Sequence, residues 1–490
     1  LRATQQNPSV LPAESLYAIE HDTMDTTFRS MYQGLYIYLS ARKERRDLLL
    51  SQRPPRFDES LDSMISRSED DFTRIALKAK AAQDYFLLIG PPGTGKTSCA
   101  LKKMVETFHA DKDAQILLLS YTNRAVDEIC KSLASIAPAV DFIRVGSELS
   151  CDEAYRGHLI ENELSSCNRR SEVYERIRNC RIIVGTVAAI SGKPELFRLK
   201  HFDVAIIDEA TQILEPQLLG ILCARGEDGK DAIDKFVLIG DHKQLPAVVQ
   251  QNTEQSAIYD ESLLSIGLTN LKDSLFERLY RNCTATVHRS YDMLCRQGRM
   301  HPEVALFANR AFYGGRLIPV GLPHQIESSD TICRLAFYPS VPEKAGASAK
   351  INYSEARIVA DLAVRIYEDH QTDFDESRTL GIITPYRSQI ALIKKEIESL
   401  GIPALNRILV DTVERFQGSE RDVIIYSFCV NYPYQLKFLS NLTEEEGVLI
   451  DRKLNVALTR ARKQMFITGV PELLERNPLY KSLLKLIESF

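Results

Sequence analysis

Gly90-Pro-Pro-Gly-Thr-Gly-Lys-Thr97 is the stretch of this 490-residue sequence that decides the fold. It follows an apolar run, 85–89, that predicts a strand, and it precedes a segment that predicts a helix from about Gly95. A glycine-rich loop in that position can turn its backbone N–H groups onto phosphates, and the helix N-terminus adds partial positive charge. Lys96 could then reach the β- and γ-phosphates, and the Thr97 hydroxyl could ligate Mg²⁺. We therefore expect Mg-ATP to bind along Gly90, Pro91, Pro92, Gly93, Thr94, Gly95, Lys96 and Thr97.

Two acidic residues end a later apolar run, Phe202-Asp-Val-Ala-Ile-Ile-Asp-Glu209. At a strand tip beside the phosphate loop, Asp208 would hold Mg²⁺ directly or through water, and Glu209 would orient and deprotonate an attacking water. Two carboxylates at a strand tip are also common as solvated ends, and the phosphate loop is what favours the catalytic interpretation. Thr97 and Asp208 are thus the expected metal ligands.

A third apolar run, 236–239, ends in Gly240-Asp-His-Lys-Gln-Leu-Pro246. From a neighbouring strand tip Gln244 could sense the γ-phosphate. The alternative is that 240–246 is only a tight turn. With Gln244 included, the sequence predicts four catalytic residues in this half of the chain: Lys96, Asp208, Glu209 and Gln244.

Short apolar runs separated by helical stretches continue along the rest of the chain. Such runs predict strands of a parallel sheet that is covered on both faces. The predicted strands are 85–89, 115–119, 181–184, 203–207 and 236–239, followed by 333–337, 380–383, 423–428 and 465–468. Because the series occurs twice, with a break near 285–300, we expect an α/β fold of two domains in tandem.

The sequence also predicts where the domains begin and end. A long helix is expected over 24–50, ended by Pro54 and Pro55, with the basic run 42–46 on a solvated face. The expected units are an N-terminal helical stalk, 1–60, a first α/β domain, 61–288, with a small helical insertion at about 147–178, and a second α/β domain, 289–490. Polar segments without periodicity predict loops at 252–265, 341–350 and 431–447. Because the chain begins at Leu1, we expect the stalk to be the remnant of a larger N-terminal region.

Composition excludes several classes of protein. Hydrophobic residues make up 44% and charged residues 26% of the chain, as in ordinary globular proteins, and no apolar run is long enough for a membrane span. The net charge of −5 argues against a uniformly basic surface but not against a local groove for nucleic acid. The ten cysteines form no Cys-x-x-Cys pair, which speaks against a zinc site or an iron–sulfur cluster and favours a reducing setting.

Two segments of the second half place arginines in suggestive settings. Arg299 lies in Cys295-Arg-Gln-Gly-Arg-Met-His-Pro302, and Arg460 lies in Leu454-Asn-Val-Ala-Leu-Thr-Arg-Ala-Arg462. Arginines supplied across a domain cleft neutralise charge that develops on the γ-phosphate, and they make hydrolysis depend on closure of the cleft. Surface arginines are common, so either arginine alone would be weak evidence for a catalytic role. The other motifs are what favour that interpretation.

Taken in order, the motifs resemble those of superfamily 1 helicases, over about residues 60–470. The motifs are GPPGTGKT (90–97), SYTNRAVDEI (120–129), VGTVAAI (184–190), IIDEATQ (206–212), GDHKQLP (240–246), QGRMHP (297–302), GIITPYRSQ (381–389), DTVERFQGSERD (411–422) and LNVALTRAR (454–462). The sequence is most similar to the branch that contains the helicase of nonsense-mediated RNA decay and the helicase-nuclease of Okazaki-fragment processing. Segments 120–123, 214–220 and 274–279 favour the latter, although nothing here resembles its nuclease domain or its cluster cysteines.

The resemblance implies two RecA-like domains and an ATP-dependent helicase or translocase that moves 5′→3′, as a monomer, on single-stranded DNA in preference to RNA. It implies that Arg299 and Arg460 are arginine fingers and that Glu420 contacts the ribose. Residues after strand ends suit backbone phosphates, and Tyr121 or Tyr386 could stack on a base or simply pack. The candidate nucleic-acid contacts are Tyr121, Thr122, Asn123, Thr186, Thr384, Pro385, Tyr386 and Arg387, with Thr412 by resemblance alone. A bacterial protein would then be cytoplasmic and associated with the nucleoid, and a eukaryotic one nuclear.

Two positions depart from the family pattern at the base end of the nucleotide. Gly298 stands where the family has Tyr, and Phe72 stands where it has a Gln that reads adenine, so selectivity for ATP over other nucleotides is in question. Two other functions remain open. One is a clamp or RNA remodeller that uses ATP as a switch without processive unwinding, and the other is a P-loop kinase or GTPase, which would not need the second domain.

Overall fold

The computed structural model of this chain describes residues 27–249, 251, 254–286, 289–328, 332–343, 348–445 and 447–489. Residues 24–26 of the predicted first helix lie outside the described part, as do parts of the three predicted loops. None of the described helices is both long and apolar enough to cross a bilayer.

The stalk is formed by two helices and not by one long helix. Helix α1 (Thr27–Leu39) packs against α11 (Glu215–Leu222), and α2 (Lys43–Leu49) follows after a break. At the start of α2, Arg42 and Arg45 both approach the carboxylate of Asp231, at 2.9 and 3.5 Å. The predicted continuous helix over 24–50 is therefore wrong, and so is a fully solvated basic run, since Arg45 is buried.

The first domain is built on a sheet of seven parallel strands in the order β3-β4-β2-β5-β6-β1-β7. Its strands are β1 (Tyr85–Ile89), β2 (Ile116–Ser120), β3 (Phe142–Val145), β4 (Ile182–Thr186), β5 (Phe202–Ile207), β6 (Ile233–Gly240) and β7 (Tyr291–Met293). Strands β1, β2 and β4 are buried along their length, as expected for apolar runs covered on both faces. Because β7 pairs with β1, the first sheet extends past residue 288, where the sequence places the domain boundary.

Helices cover both faces of this sheet and fill the insertion. They are α3 (Asp62–Arg67), α4 (Asp71–Ala81), α5 (Lys102–His109), α6 (Asn123–Ala134), α7 (Ile160–Glu163), α8 (Arg170–Asn179), α9 (Val187–Ser191), α10 (Glu195–Leu199), α11, α12 (Glu261–Ser265) and α13 (Leu275–Ala285). A π-helical turn, Lys96–Leu101, leads from the phosphate loop into α5. Helix α12 lies in 252–265, which the sequence predicts as loop.

The second domain begins with a short parallel pair, β8 (Arg296–Gln297) and β9 (Ile318–Pro319), and continues into a five-stranded parallel sheet. That sheet has the order β10-β16-β13-β11-β12, with β10 (Leu335–Pro339), β11 (Leu380–Ile383), β12 (Leu409–Asp411), β13 (Arg421–Ser427) and β16 (Ala461–Gly469). Two parallel sheets in tandem confirm the predicted α/β fold.

A β-hairpin projects from the second domain, formed by β14 (Leu442–Glu445) and β15 (Val448–Asp451). Its first strand, β14, lies within 431–447, so the prediction of a loop there is wrong. The helices of this domain are α14 (Pro302–Phe312), α15 (Pro323–Ile326), α16 (Tyr353–Asp369), α17 (Arg387–Ser399), α18 (Val413–Phe416), α19 (Leu436–Leu439), α20 (Arg452–Leu458), α21 (Pro471–Leu474) and α22 (Pro478–Glu488).

Candidate functional site

The phosphate loop joins the carboxyl end of β1 to the helix that begins at Lys96. Gly93 and Gly95 adopt left-handed backbone conformations, with φ of 74° and 77°, which glycine reaches at little cost. The side chain of Lys96 lies across Gly90, where an added Cβ would come within 1.9 Å of the lysine Cγ. A side chain at position 90 would therefore displace Lys96 from the loop.

The acidic pair at the end of β5 faces this loop. The Thr97 hydroxyl donates to Asp208 Oδ2 over 2.5 Å, and Lys96 Nζ lies 3.4 Å from Glu209 Oε1. Glu209 has a positive φ of 53°, which is uncommon for a non-glycine residue, and Gln212 donates to its second oxygen at 2.8 Å. The structure thus brings the loop and both predicted acids into one cluster.

The pKa values of Asp208 and Glu209 are shifted in opposite directions. Burial, and next the negative charge of Glu209, raise the pKa of Asp208 to about 6. Burial also disfavours the charge on Glu209, but Lys96 outweighs it and holds the pKa of Glu209 below its usual range. A proton at this pair therefore resides on Asp208. The Thr97 hydroxyl and the Asp208 carboxylate together are hard oxygen donors, which suits Mg²⁺.

Gln244 is held by a hydrogen-bond network that joins the two domains. Its amide donates to Asp241 Oδ2 at 2.7 Å, and the same oxygen accepts from the Tyr313 hydroxyl at 2.7 Å. Asn455 donates to Tyr313 Oη at 2.8 Å and to the Lys243 carbonyl at 2.7 Å. All of these side chains except that of Lys243 are buried, so the segment 240–246 is more than a turn.

Arg460 is fixed beside Gln244. It is buried and donates to Gln244 Oε1 at 3.3 Å, to the Val456 carbonyl at 3.0 Å and to the Ser419 carbonyl at 3.4 Å. Burial, and next the positive charge of Arg299, lower the pKa of Arg460 to about 9, so the guanidinium remains the dominant form at neutral pH.

Arg299 meets the phosphate loop through its backbone. The Gly298 amide donates to the Gly93 carbonyl at 2.8 Å, and a Cβ on Gly93 would lie 2.4 Å from that of Arg299. The guanidinium of Arg299 turns to Glu420, with Nε 2.5 Å from Oε2, and also donates to the Thr459 carbonyl at 3.3 Å. The structure therefore places Arg299, Arg460 and Glu420 together at the loop.

The side chains at and around the two positions that depart from the family pattern, 72 and 298, are apolar. The Phe72 ring lies 3.5 Å from where a Cβ of Gly95 would stand, so it borders the phosphate loop. A Cβ on Gly298 would meet the side chains of Leu322 and Val320, at 3.2 and 3.4 Å. Phe72 offers no hydrogen-bonding group from its side chain to an adenine edge.

The predicted nucleic-acid contacts divide by exposure. Tyr121, Thr122 and Arg387 are exposed, and Asn123, Pro385, Tyr386 and Thr412 are partly buried. Thr186 and Thr384 are buried, and the Thr186 hydroxyl accepts from the Ala189 amide as the cap of α9. Tyr386 accepts from Gln435 at 3.1 Å, which engages its hydroxyl within the domain.

A cleft of about 1820 Å³ opens between the domains next to this site. Tyr121 and Thr122 line it together with more basic than acidic side chains. The basic ones are Lys243, Lys272, Arg281, Arg310, Arg316, Lys437, Arg452 and Lys453, and the acidic ones are Asp273, Glu414, Glu444 and Glu445. On one side the hairpin reaches the segment 240–246, where Glu445 Oε2 lies 3.1 Å from His242 Nε2.

Sequence reasoning missed the residues that join the domains. Asp241 and Asn455 stand inside quoted motifs, yet only the structure shows their shared partner, Tyr313. Tyr313 carries no sequence signal, because a tyrosine after a helix usually packs in a core.

Two family models, each described as an AAA domain, match this chain, one over 67–173 and 160–252 and the other over 271–472. The sequence is 29% identical to the DNA replication ATP-dependent helicase/nuclease of Gallus gallus, over 98% of this chain and 45% of that protein. The human protein of the same name is 28% identical, over 98% of this chain and 46% of that protein. The DNA polymerase alpha-associated DNA helicase A of Saccharomyces cerevisiae is 24% identical, over 94% of this chain and 73% of that protein. The chain thus spans less than half the length of the first two relatives.

Proposed function

Since the chain belongs to the superfamily 1 helicases, we propose that it hydrolyses ATP to move along single-stranded nucleic acid. The observation that carries the proposal is the convergence of both domains on one loop. Lys96, Asp208 and Glu209 come from the first domain, and Arg299 and Arg460 come from the second. A nucleotide bound there would contact both domains at once.

The roles of the side chains follow from their positions. Lys96 binds the β- and γ-phosphates, and Glu209, kept ionised by Lys96 and oriented by Gln212, holds the attacking water and accepts its proton. Mg²⁺ would be held by Thr97 and Asp208, and when bound it would neutralise phosphate charge. Gln244 and Arg460, which contact each other, meet the γ-phosphate from opposite domains.

Hydrolysis in this arrangement is linked to domain motion. The γ-phosphate would be contacted by groups of both domains, so its loss weakens the attraction across the cleft. A strand in the cleft would then be held differently before and after hydrolysis. We place the strand along Tyr121 and Thr122, where a stacking ring and basic side chains lie together.

The finer parts of the proposal concern substrate and direction. We propose DNA in preference to RNA because the relatives are named as DNA helicases. We also propose 5′→3′ movement by a monomer, as the family resemblance implies. The relatives named above are eukaryotic, which favours a nuclear location.

ATPase measurements with single-stranded DNA, single-stranded RNA and duplex DNA added in turn test the proposal. We expect stimulation by single strands, with DNA the stronger activator. Lys96→Ala and Glu209→Gln should lower kcat by about a hundredfold or more, the usual effect of losing an electrostatic or general-base group. Lys102→Ala is a matched control, because Lys102 lies on the same helical segment but donates to the Ser135 carbonyl. Wild-type turnover in either site variant would refute the site.

An ATP-switched clamp is the second candidate, because the same contacts would also bind a strand without separating one. Unwinding of duplexes that carry a 5′ or a 3′ single-stranded tail distinguishes the two. A motor of the proposed direction unwinds the 5′-tailed duplex, whereas a clamp is stimulated by single strands and unwinds neither.

A further inference from the structure

The carboxylate of Glu420 lies between two arginines at the edge of the candidate site. Oε2 is 2.5 Å from Arg299 Nε, and Oε1 is 3.7 Å from Arg462 Nε. Glu420 stands in the loop between α18 and β13, just after Gly418, whose φ is +77°. The resemblance assigns this residue a contact with the ribose, yet here its oxygens face guanidinium groups.

The two predicted arginine fingers differ in how firmly they are held. Arg460 is buried and donates to carbonyl oxygens of its own domain and to Gln244. The guanidinium of Arg299 has two partners, Glu420 and the Thr459 carbonyl, and 17% of its side chain is exposed. Arg460 is therefore a fixed group, whereas Arg299 can change partner by rotating its side chain.

The start of the Arg299 side chain already lies at the phosphate loop. Its Cβ would clash with one on Gly93, and the preceding amide donates to the Gly93 carbonyl. The guanidinium, by contrast, is bonded to Glu420 and to the Thr459 carbonyl. A rotation about the side-chain bonds would carry it from Glu420 to a phosphate bound at the loop.

The charges explain why Glu420 occupies this position. Arg299 lies close enough to Arg460 to disfavour the charge of Arg460, so the two cations need an anion nearby. Burial disfavours the charge on Glu420, but Arg299 and then Arg462 outweigh it and hold the pKa of Glu420 below its usual range. A γ-phosphate carries more negative charge than one carboxylate and would attract Arg299 more strongly.

We propose that Glu420 is a positioning residue that holds Arg299 away from the phosphates until a nucleotide enters the site. This inference rests on the proposed ATPase function. Entry of the nucleotide gives both groups new partners, because the ribose hydroxyls can take Glu420 while the γ-phosphate takes Arg299. Glu420 thereby slows hydrolysis, since Arg299 must break its ion pair with Glu420 before it can act on the γ-phosphate.

Steady-state ATPase kinetics without nucleic acid test the inference. Glu420→Gln keeps the shape and hydrogen-bonding capacity of the side chain but removes its charge. We expect kcat without a strand to rise about fivefold, the release expected from a partly exposed ion pair, with KM for ATP changed less than about twofold. Asp422→Asn is the matched control, because Asp422 pairs with Arg462 and Lys463 and not with Arg299. Its kcat should equal that of the wild type.

The double variant Glu420→Gln with Arg299→Ala shows whether the effect passes through Arg299. We expect the gain to disappear, and a gain that persists would overturn the inference. An unchanged or lowered kcat in Glu420→Gln would also overturn it, and a rise in KM alone would leave Glu420 with a ribose contact only. A wild-type protein without ATPase activity would instead refute the proposed function, and this inference with it.

Discussion

Replacing Glu355 by glutamine should stabilise the protein at alkaline pH. Glu355 lies in the first turn of α16 and is fully buried. Its Oε2 accepts from the Ser427 hydroxyl at 2.6 Å and from the Cys429 amide at 2.8 Å, and its Oε1 lies 3.4 Å from the Ser340 hydroxyl. Among the described residues no lysine, arginine or histidine pairs with it. A carboxylate here is buried without a cation, which is costly.

The magnitude follows from the proton affinity of this group. Burial raises the pKa of Glu355 from 4.5 to about 7, although its three hydrogen bonds oppose the change. That difference corresponds to about 3 kcal/mol, at about 1.4 kcal/mol for each tenfold change in affinity. Because the folded pKa is the higher one, the protonated group stabilises the fold fully below pH 4.5, and this contribution is lost as the pH rises through about 7.

Glutamine matches the protonated acid in this environment. Its carbonyl oxygen can accept from Ser427 and Cys429, and its amide can donate to Ser340. Urea unfolding of wild type and Glu355→Gln between pH 5 and pH 8.5 measures the effect. The variant should be more stable by up to about 3 kcal/mol at pH 8.5 and by less than about 1 kcal/mol near pH 5. A difference that is the same at both pH values would refute the reasoning. Glu368→Gln, at an exposed position of the same helix, should leave the pH dependence unchanged.

Two further predictions concern the domain junction and the nucleotide base. Arg452→Met should lower the free energy of unfolding in urea by about 3–5 kcal/mol, because it removes the ion-pair partner, 2.5 Å away, of the buried carboxylate of Glu277. Glu277→Gln in the same chain should restore part of the loss, and no restoration would contradict the assignment. The kcat/KM for GTP should lie within about tenfold of that for ATP, because Phe72 cannot hydrogen-bond a base and such bonds are what give discrimination of about 10⁴. A preference for ATP of that size would contradict the apolar base end.

The sequence predicts the central strands well and the edge strands poorly. Runs such as 85–89 and 380–383 match their strands residue for residue, because a strand buried on both faces is apolar throughout. Strands β3, β7 and β12 are missed, and each lies at an edge of its sheet. An edge strand can carry charged residues that find partners outside the sheet, as Arg144 does with Asp127 and Asp292 does with Lys78.

Residue types at the site could be predicted, but their partners could not. A glycine-rich loop and a strand-tip acid each carry their own local signal, so Lys96 and Asp208 are found without the fold. Arg460 and Gln244 are in contact but lie more than two hundred residues apart in the sequence, so no local pattern encodes their contact. The solvent exposure of a candidate side chain could not be predicted from the sequence either. Thr384 and Tyr121 both follow the end of a strand, yet Thr384 is buried and Tyr121 is exposed.

The two arginines give the cleft two different kinds of connection. Through Gln244, Arg460 belongs to a buried network with Tyr313 and Asn455, whose hydrogen bonds join the domains in the structure. Arg299 has an exchangeable partner, because Glu420 and a γ-phosphate compete for the same guanidinium. The buried network around Arg460 holds the two domains together. The Arg299–Glu420 ion pair can break or form according to whether a γ-phosphate is present.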